Sequence, residues 1–339
     1  MPKKDTSVNQ ITEGVIWKQL LIFFFPIMLG TLFQQLYNTA DAVVVGRFVG
    51  TKALAAVGGS TGQITNLIVN FFVALASGAT VIIARYYGAK NKKDLNDTLH
   101  TAAALSIAGG ILTTVVGVAL APILLKMMKT PADVMPDSVT YLRIYFAGII
   151  FVFIYNVGSA ILRAVGDSTR PLYFLIVCCF INIFLDILLV VGFHMGVAGA
   201  AIATVISQVV SAILIIHALM KSTDMYRLEP RKIRFHKFLL VSIITIGLPA
   251  GIQSIMYNIS NIIIQTSLNN LGTDTMAAYT AFGKIDAIYW MISGAFSVSI
   301  ITFIGQNFGA GKYDRMKKSV KVCLLLDFIA SLLVSALLL

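Results

Sequence analysis

Long apolar runs separated by short polar segments dominate the sequence. A helix needs about 20 mostly apolar residues to cross the roughly 30 Å hydrocarbon core of a bilayer. Nine runs meet this requirement, at residues 17–46, 54–85, 95–125, 141–163, 172–193, 197–219, 238–268, 276–306 and 320–338. The pattern therefore predicts an all-α polytopic membrane protein with nine spans.

The segment after the sixth run repeats the pattern of the first three runs at a shift of about 222 residues. The matched residues are collinear: Pro26 with Pro249, Gly50 with Gly272, Ala55 and Ala56 with Ala277 and Ala278, and the Gly-Ala pairs beginning at Gly88 and Gly309. A unit of six helices begins and ends on the same side of the membrane, so a second copy keeps the orientation of the first. The repeat therefore predicts a two-lobed transporter.

The repeat also predicts where the lobes begin and end. We expect a cytoplasmic N-terminal segment (1–16), an N-lobe of six helices (17–220), a basic cytoplasmic linker (221–237) and a partial C-lobe of three helices (238–339). Two complete lobes would need about 445 residues, so the period predicts three further helices.

Composition agrees with a membrane protein, since 58% of the residues are hydrophobic, 12% are charged and the mean hydropathy is +0.85. The net charge of +11 could indicate a nucleic-acid partner, but 20 of the 26 Lys and Arg fall on one side when the spans alternate. The others are Arg47, Lys52, Lys126, Lys129 and Arg143 on the far side, and Lys284 within a span. The positive-inside rule makes the basic side cytoplasmic. We therefore expect a multi-pass protein of the cell membrane with a cytoplasmic N-terminus and no nucleic-acid partner.

Two smaller features of the sequence bear on the class of protein. The apolar run after Trp17 is too long for a cleavable signal peptide, so we expect the first helix to stay as an anchor. Cys178, Cys179 and Cys323 lack the spacing of a disulfide framework or a zinc site. The linker carries six basic residues, which suit either a segment on an anionic leaflet or a solvated connector.

Four acidic residues lie inside the spans: Asp41, Asp186, Asp286 and Asp327. A carboxylate inside a bilayer is costly enough to be a functional hypothesis by default. Asp286 has Lys284 two residues away, which favours a structural ion pair, and Asp327 lies close enough to its helix start to pair with neighbouring lysines. Asp41 and Asp186 have no such neighbour and need another explanation.

Polar residues on three helices predict one site around these two acids. Gln34, Tyr37, Asn38 and Asp41 share a face of the first helix, Asn182 and Asp186 share a face of the fifth, and Thr204 and Gln208 share a face of the sixth. Asp41, Asp186 and Thr204 all fall in the outer half of the membrane. Such oxygen groups in low dielectric suit a proton or a hard cation such as Na⁺. We predict ion coupling at Asp41, Asn182, Asp186 and Thr204, with no other cofactor.

Two further residues qualify this prediction. The repeat partner of Asp41 is Ile263, so the helical frame tolerates an apolar residue at that position. Pro26 lies inside the first helix, where it favours either a movable bend or a static kink. Gln34, Tyr37, Asn38 and Gln208 are the candidate residues of a substrate pathway.

The chain resembles the multidrug and toxic compound extrusion (MATE) family, in its DinF-like branch. The resemblance covers the whole length and rests on Pro26 with Gln34 to Asp41, on Asn182-x-x-x-Asp186 followed by Gly-x-Ala-Gly-Ala-Ala and Thr204, and on the Gly-Ala pairs. It implies a V-shaped bundle of two six-helix lobes that exports cationic or amphipathic organic compounds in exchange for Na⁺ or H⁺. It also implies a monomer with an N-lobe ion site formed by Asp41, Asn182, Asp186 and Thr204.

Other functions explain the sequence less well. A flippase for lipid-linked or polysaccharide precursors, from the same superfamily, is the nearest alternative, but anionic cargo would favour Arg or Lys in the central cavity. An enzyme is not expected, because no HExxH arrangement occurs. An ATP-driven pump lacks a P-loop, since the segment from Gly305 to Tyr313 has the wrong spacing. A structural or receptor role would leave the acids unexplained.

Overall fold

The computed structural model of the protein describes residues 11–269 and 273–338, and within those residues the regular structure is helical throughout. In chain order, the helices before the linker are α1 (Ile16–Phe48), α2 (Thr51–Gly58), α3 (Ser60–Gly88), α4 (Lys92–Met127), α5 (Met135–Ala164), α6 (Thr169–Asp186) with a π-helical extension (Ile187–Gly192), and α7 (Gly196–Met220). A 3₁₀ turn (Pro230–Lys232) precedes α8 (Lys237–Asn269), α9 (Thr273–Gly309) and α10 (Tyr313–Leu338). The described residues contain nine stretches long and apolar enough to cross a membrane. The prediction of an all-α protein with nine spans is confirmed.

The second span differs from its prediction as one helix over 54–85, because it is broken at Gly59. The backbone of Gly59 has φ −74° and ψ −122°, which is outside the helical region. A Cβ at this position would lie 2.5 Å from the carbonyl oxygen of Ala55, so the break requires glycine. The Thr61 hydroxyl donates to the carbonyls of Ala56 and Val57 beside the break. These bonds satisfy acceptors that the broken helix leaves free.

The two repeats meet through a reciprocal contact between α3 and α9. A Cβ added to Gly88 would overlap the carbonyl oxygen of Gln306, and one added to Gly309 would overlap that of Arg85. Each residue of one pair is 221 positions from its counterpart in the other, so the contact is the one expected of two copies related by an axis along the membrane normal. The lobe boundaries at 221–237 remain a prediction. Gly272, the proposed partner of Gly50, lies outside the described residues.

We call the end where α1 and α4 begin and α3 and α9 end the basic end of the bundle. The closest approaches between α1–α7 and α8–α10 lie in the halves of the helices nearest this end. Phe24 stacks on Phe296 with ring centroids 4.1 Å apart, and a Cβ on Gly78 would lie 2.9 Å from the amide nitrogen of Gly247. Close packing at one end leaves room for a cavity farther along the bundle.

Candidate ion site and cavity

Four polar residues from three helices meet inside the first lobe. The Thr204 hydroxyl lies 3.4 Å from Asp41 Oδ2 and 3.0 Å from the Ala200 carbonyl oxygen, and it can donate its one hydrogen to either acceptor. The side chains of Asn182 and Asp186 also lie beside Asp41. Their positions follow from helix periodicity, which places Asn182 and Asp186 one turn apart on α6, facing α1. The structure brings together the four residues that we named as an ion site. Their part in coupling stays a prediction.

Most of the polar atoms in this cluster have no hydrogen-bond partner outside the cluster among the described residues. They are Asp41 Oδ1, both oxygens of Asp186, and both Oδ1 and Nδ2 of Asn182. A buried polar atom without a partner costs about 1–3 kcal/mol, and more when it is charged. Two facing carboxyl groups in an apolar surrounding repel each other unless a proton or a cation lies between them. The carboxyl, amide and hydroxyl oxygens of the cluster are hard ligands, so its chemistry fits H⁺ or Na⁺.

The four residues differ in their access to the interior of the protein. Asp41 and Thr204, each 6% exposed, line a cavity of about 750 Å³, whereas Asn182 and Asp186 are 0% exposed and lie behind them. The volume is within the usual range of about 300–1,000 Å³ for small-molecule sites. An ion held between the two acids would therefore be reached through Asp41.

All four candidate substrate-pathway residues line the same cavity. Gln34 and Asn38 are exposed to it, while Tyr37 and Gln208 are largely buried in its wall. Pro26 also lines the cavity, and α1 continues as an α-helix through it. The polar stripe of α1 thus faces the cavity and places Asp41 in its wall.

Several polar residues of the cavity wall escaped the sequence prediction. Tyr141 lies beside Thr204 and Asp41, and it stacks on Tyr145 with ring centroids 6.3 Å apart. Arg163 brings a cation to the cavity near the basic end, although the sequence analysis counted it only among the 20 basic residues of the cytoplasmic side. Asn66, Asn70, Tyr155 and Asn156 also line the cavity. Tyr141 and Tyr145, like Asn66 and Asn70, are four residues apart, so the one-face rule applied to α1 could have found them.

Asp186 marks a change of helix type. The sequence predicted one helix over 172–193, but α6 ends at Asp186 and continues as a π-helix from Ile187 to Gly192. The wider turn returns the chain to α7, where the Met195 amide donates to the Leu189 carbonyl at 3.0 Å. π-Helical segments are rare and frequently occur at functional sites.

The two acids of the second lobe lie apart from this cluster. Asp327 is about 21 Å into its span, because α10 begins at Tyr313 rather than near residue 320. It accepts a hydrogen bond from Ser293 Oγ at 3.3 Å, and the ion pairs among the described residues do not include the expected one between Asp327 and a lysine. Asp286 is half-buried on α9. The side chain of Lys284 lies outside the described part of the structure, so their ion pair stays a prediction.

Comparison with known proteins identifies the family of this chain. The MatE family model matches residues 26–188 and 249–339. The chain is 30% identical over 321 residues to "Probable multidrug resistance protein YoeA" of Bacillus subtilis, covering 93% of this chain and 69% of that protein. It is 30% identical over 305 residues to "Probable multidrug resistance protein YpnP" of the same organism, covering 90% and 68%.

A solved structure extends the likeness to the fold. It is a MOP superfamily transporter from Pyrococcus furiosus, described as having a binding pocket of reverse polarity that suggests a different function. The TM-score is 0.90 at 25% identity, covering 98% of this chain and 74% of the other. Members of the matched family are transporters rather than enzymes. The chain is a multi-pass membrane protein that belongs to the MATE family of multidrug efflux transporters.

Proposed function

We propose that this protein exports cationic or amphipathic organic compounds by antiport with H⁺ or Na⁺, coupled through Asp41, Asn182, Asp186 and Thr204. One observation carries the proposal: a cluster of buried polar atoms without partners adjoins a large cavity. The cost of leaving such atoms unpaired is recovered when a proton or a cation binds, so the cluster favours the ion-loaded state. The protein would act as a monomer in the cell membrane, with the basic end cytoplasmic.

The geometry suggests how ion and substrate would be exchanged. Asp41 faces the cavity on one side and the buried Asn182 and Asp186 on the other. A cationic compound in the cavity is attracted to ionised Asp41, and an ion bound between the acids cancels that attraction. Binding of either one therefore weakens binding of the other, which is the condition for antiport. Gln34, Tyr37, Asn38 and Gln208 would contact the compound.

A flippase for an anionic lipid-linked precursor is the second candidate. Arg163 favours it, because this residue brings a guanidinium to the same cavity. The Pyrococcus transporter of similar fold is itself described as having a pocket of reverse polarity. Asp41, however, adds a carboxyl group to the cavity wall that anionic cargo would have to approach. The acidic cluster therefore favours export of cations.

The test measures efflux of ethidium from cells that express the gene or carry an empty vector. We expect Asp41→Asn and Asp186→Asn to reduce efflux by about tenfold or more, since each removes a charge that an ion must neutralise. Asp327→Asn is the control, because it changes an acid of α10 that accepts a hydrogen bond from Ser293 Oγ and does not line the cavity. Undiminished efflux in both cluster variants, at normal expression, would contradict the proposal.

The same efflux assay identifies the coupled ion. Replacing Na⁺ by K⁺ should stop efflux if Na⁺ is coupled, and a protonophore should stop it if H⁺ is coupled. Export of ethidium that neither treatment slows would exclude both ions. Uptake or flipping of an anionic precursor, with no ethidium export, would favour the second candidate.

A further inference from the structure

We call the cavity lined by Asp41 and Thr204 the transport cavity. A second cavity, of about 710 Å³, is separate from it and lies at the basic end. It is formed between the first turns of α4 and the linker that joins the two lobes. Its lining is Lys92, Lys93, Asn96, Asp97, Glu229, Arg231, Lys232 and Arg234. Five of these eight residues are basic and two are acidic, so the cavity has an excess of positive charge.

Hydrogen bonds hold the linker against α4. His100 Nε2 accepts from the amide of Glu229 at 3.0 Å, and His100 Nδ1 donates to the carbonyl of Asn96 at 2.7 Å. The amide of His236 donates to Thr101 Oγ1 at 3.2 Å. Tyr226 is 0% exposed and anchors the middle of the linker. The linker is therefore a docked segment, which holds its basic residues opposite the lysines of α4.

Both acids of the cavity have cationic or titratable neighbours. Glu229 forms an ion pair with Lys232 at 2.9 Å, and this hydrogen-bonded ammonium lowers the pKa of the Glu229 carboxyl below its usual range. Asp97 lies 3.5 Å from the imidazole of His236. In the part of the chain that the structure describes, Lys92, Lys93 and Arg231 form no ion pair.

The position of the cavity indicates the source of an anion. It lies where α4 and α8 begin, which is the level of the lipid headgroups if these helices span the membrane. The residues that follow Arg234 along the chain, into the first turns of α8, include exposed apolar side chains, with Phe235 at 50%, Phe238 at 75% and Val241 at 55% exposure. A free phosphate gains nothing from apolar side chains, whereas an acyl chain packs against them and buries apolar surface.

We propose that this cavity binds the phosphate group of an anionic phospholipid, held by Lys92, Lys93 and Arg231, with its acyl chains along Phe238 and Val241. The ligand would contact α4 of the first lobe and the segment that leads into α8 of the second. Arginine and lysine suit phosphate because both donate charge-assisted hydrogen bonds. The site does not depend on the proposed ion coupling.

The test uses the full chain in a nonionic detergent, with bound lipid counted by native mass spectrometry. Phosphatidylglycerol should be retained in preference to phosphatidylcholine. The triple variant Lys92→Gln, Lys93→Gln, Arg231→Gln should lose about tenfold or more in phosphatidylglycerol affinity, since each of these basic residues attracts an anionic lipid. The control variant Lys317→Gln, Lys318→Gln, Lys321→Gln removes three exposed charges from the same end and should change the affinity less than about twofold.

Two further measurements distinguish a specific lipid site from general electrostatic attraction to the basic end. Arg231→Lys keeps the charge and should retain most of the binding, which a misfolded variant would not. Millimolar inorganic phosphate should leave the lipid bound. Displacement by phosphate, an equal loss in both triple variants, or no preference between the two lipids would each overturn the proposal.

Discussion

The repeat partners α1 and α8 share a frame but differ in chemistry. Each is a long helix with one proline in its interior, Pro26 in α1 and Pro249 in α8. The face of α1 lines the transport cavity with polar residues and ends on the buried Asp41. The equivalent face of α8 lines a shallower, largely apolar cavity of about 560 Å³, and the repeat partner of Asp41 is Ile263, 61% exposed.

This difference separates what the repeat needs for folding from what it needs for function. The reciprocal contact of Gly88 and Gly309 is present in both copies, so it belongs to the frame. Asp41 has an apolar partner in the second copy, Ile263, so packing of the frame does not require a carboxyl group at this position. A buried acid that the frame does not require has to be explained by function.

Exchange of the two partner residues tests this conclusion most strongly. Asp41→Ile should abolish ethidium efflux, a loss of about tenfold or more, because no carboxyl group then faces the cavity beside Thr204. Adding Ile263→Asp restores the number of acids but places the new carboxyl on α8, away from Asn182 and Asp186. We expect no recovery in the double variant.

Efflux assays of the two variants, with expression checked by immunoblotting, are the measurement. Ile263→Asp alone is the control for the cost of a new charge on an exposed position. Recovery of ion-dependent efflux in the double variant would show that a carboxyl group works equally well on α1 and α8. It would contradict the difference in function between these two helices.

The shared frame predicts a second, smaller effect at the basic end. Gly88→Ala and Gly309→Ala each add a Cβ that overlaps a backbone oxygen of the other lobe. Overpacking of this kind costs about 1–3 kcal/mol, so the unfolding temperature in detergent should fall by several degrees in both. The two losses should be similar, because the contact is reciprocal.

Gly294→Ala is the matched control for these substitutions. Position 294 lies within α9, and an added Cβ there meets nothing within 4 Å. Alanine is a better helix former than glycine by about 1 kcal/mol, so this variant should be unchanged or slightly more stable. A loss at Gly88 with none at Gly309 would contradict the symmetric contact.

The apolar runs and the helix periodicity of the sequence predicted the features that depend on short segments of the chain. The nine spans follow from runs of apolar residues, and the convergence of Asp41, Asp186 and Thr204 follows from helix periodicity and depth. The break at Gly59 and the π-helical turn after Asp186 depend on backbone conformations that apolar periodicity does not encode.

Contacts between distant segments were also beyond the sequence. Nothing in the linker indicates that His100, more than a hundred residues earlier, accepts a hydrogen bond from its backbone. The division of the ion cluster between a cavity-facing pair and a buried pair depends in the same way on how α6 packs behind α1. Helix depth places the four residues at one level in the membrane but does not show which of them face the cavity.

The hydroxyl of Thr204 offers a smaller test inside the ion cluster. Thr204→Val removes the donor to Asp41 Oδ2 while nearly keeping the side-chain volume. A hydrogen bond of this kind contributes about 0.5–1.5 kcal/mol, so the ion concentration for half-maximal efflux should shift about two- to tenfold. Thr302→Val on α9 is the control, because the buried Thr302 hydroxyl has no partner among the described residues. Equal shifts in both variants would remove Thr204 from the site.

The smallest expected effect concerns substrate choice at another pair of repeat partners, Asn38 and Ser260. Asn38 is exposed to the transport cavity, whereas the Ser260 hydroxyl donates to the Met256 carbonyl of its own helix at 2.9 Å. Asn38→Ala should therefore change the ratio of ethidium to norfloxacin efflux by about two- to fivefold, in keeping with the loss of one hydrogen bond. Ser260→Ala should leave that ratio unchanged. If Ser260→Ala shifted the ratio as much as Asn38→Ala, both lobes would contact the substrate, and the asymmetry between α1 and α8 would be confined to the ion.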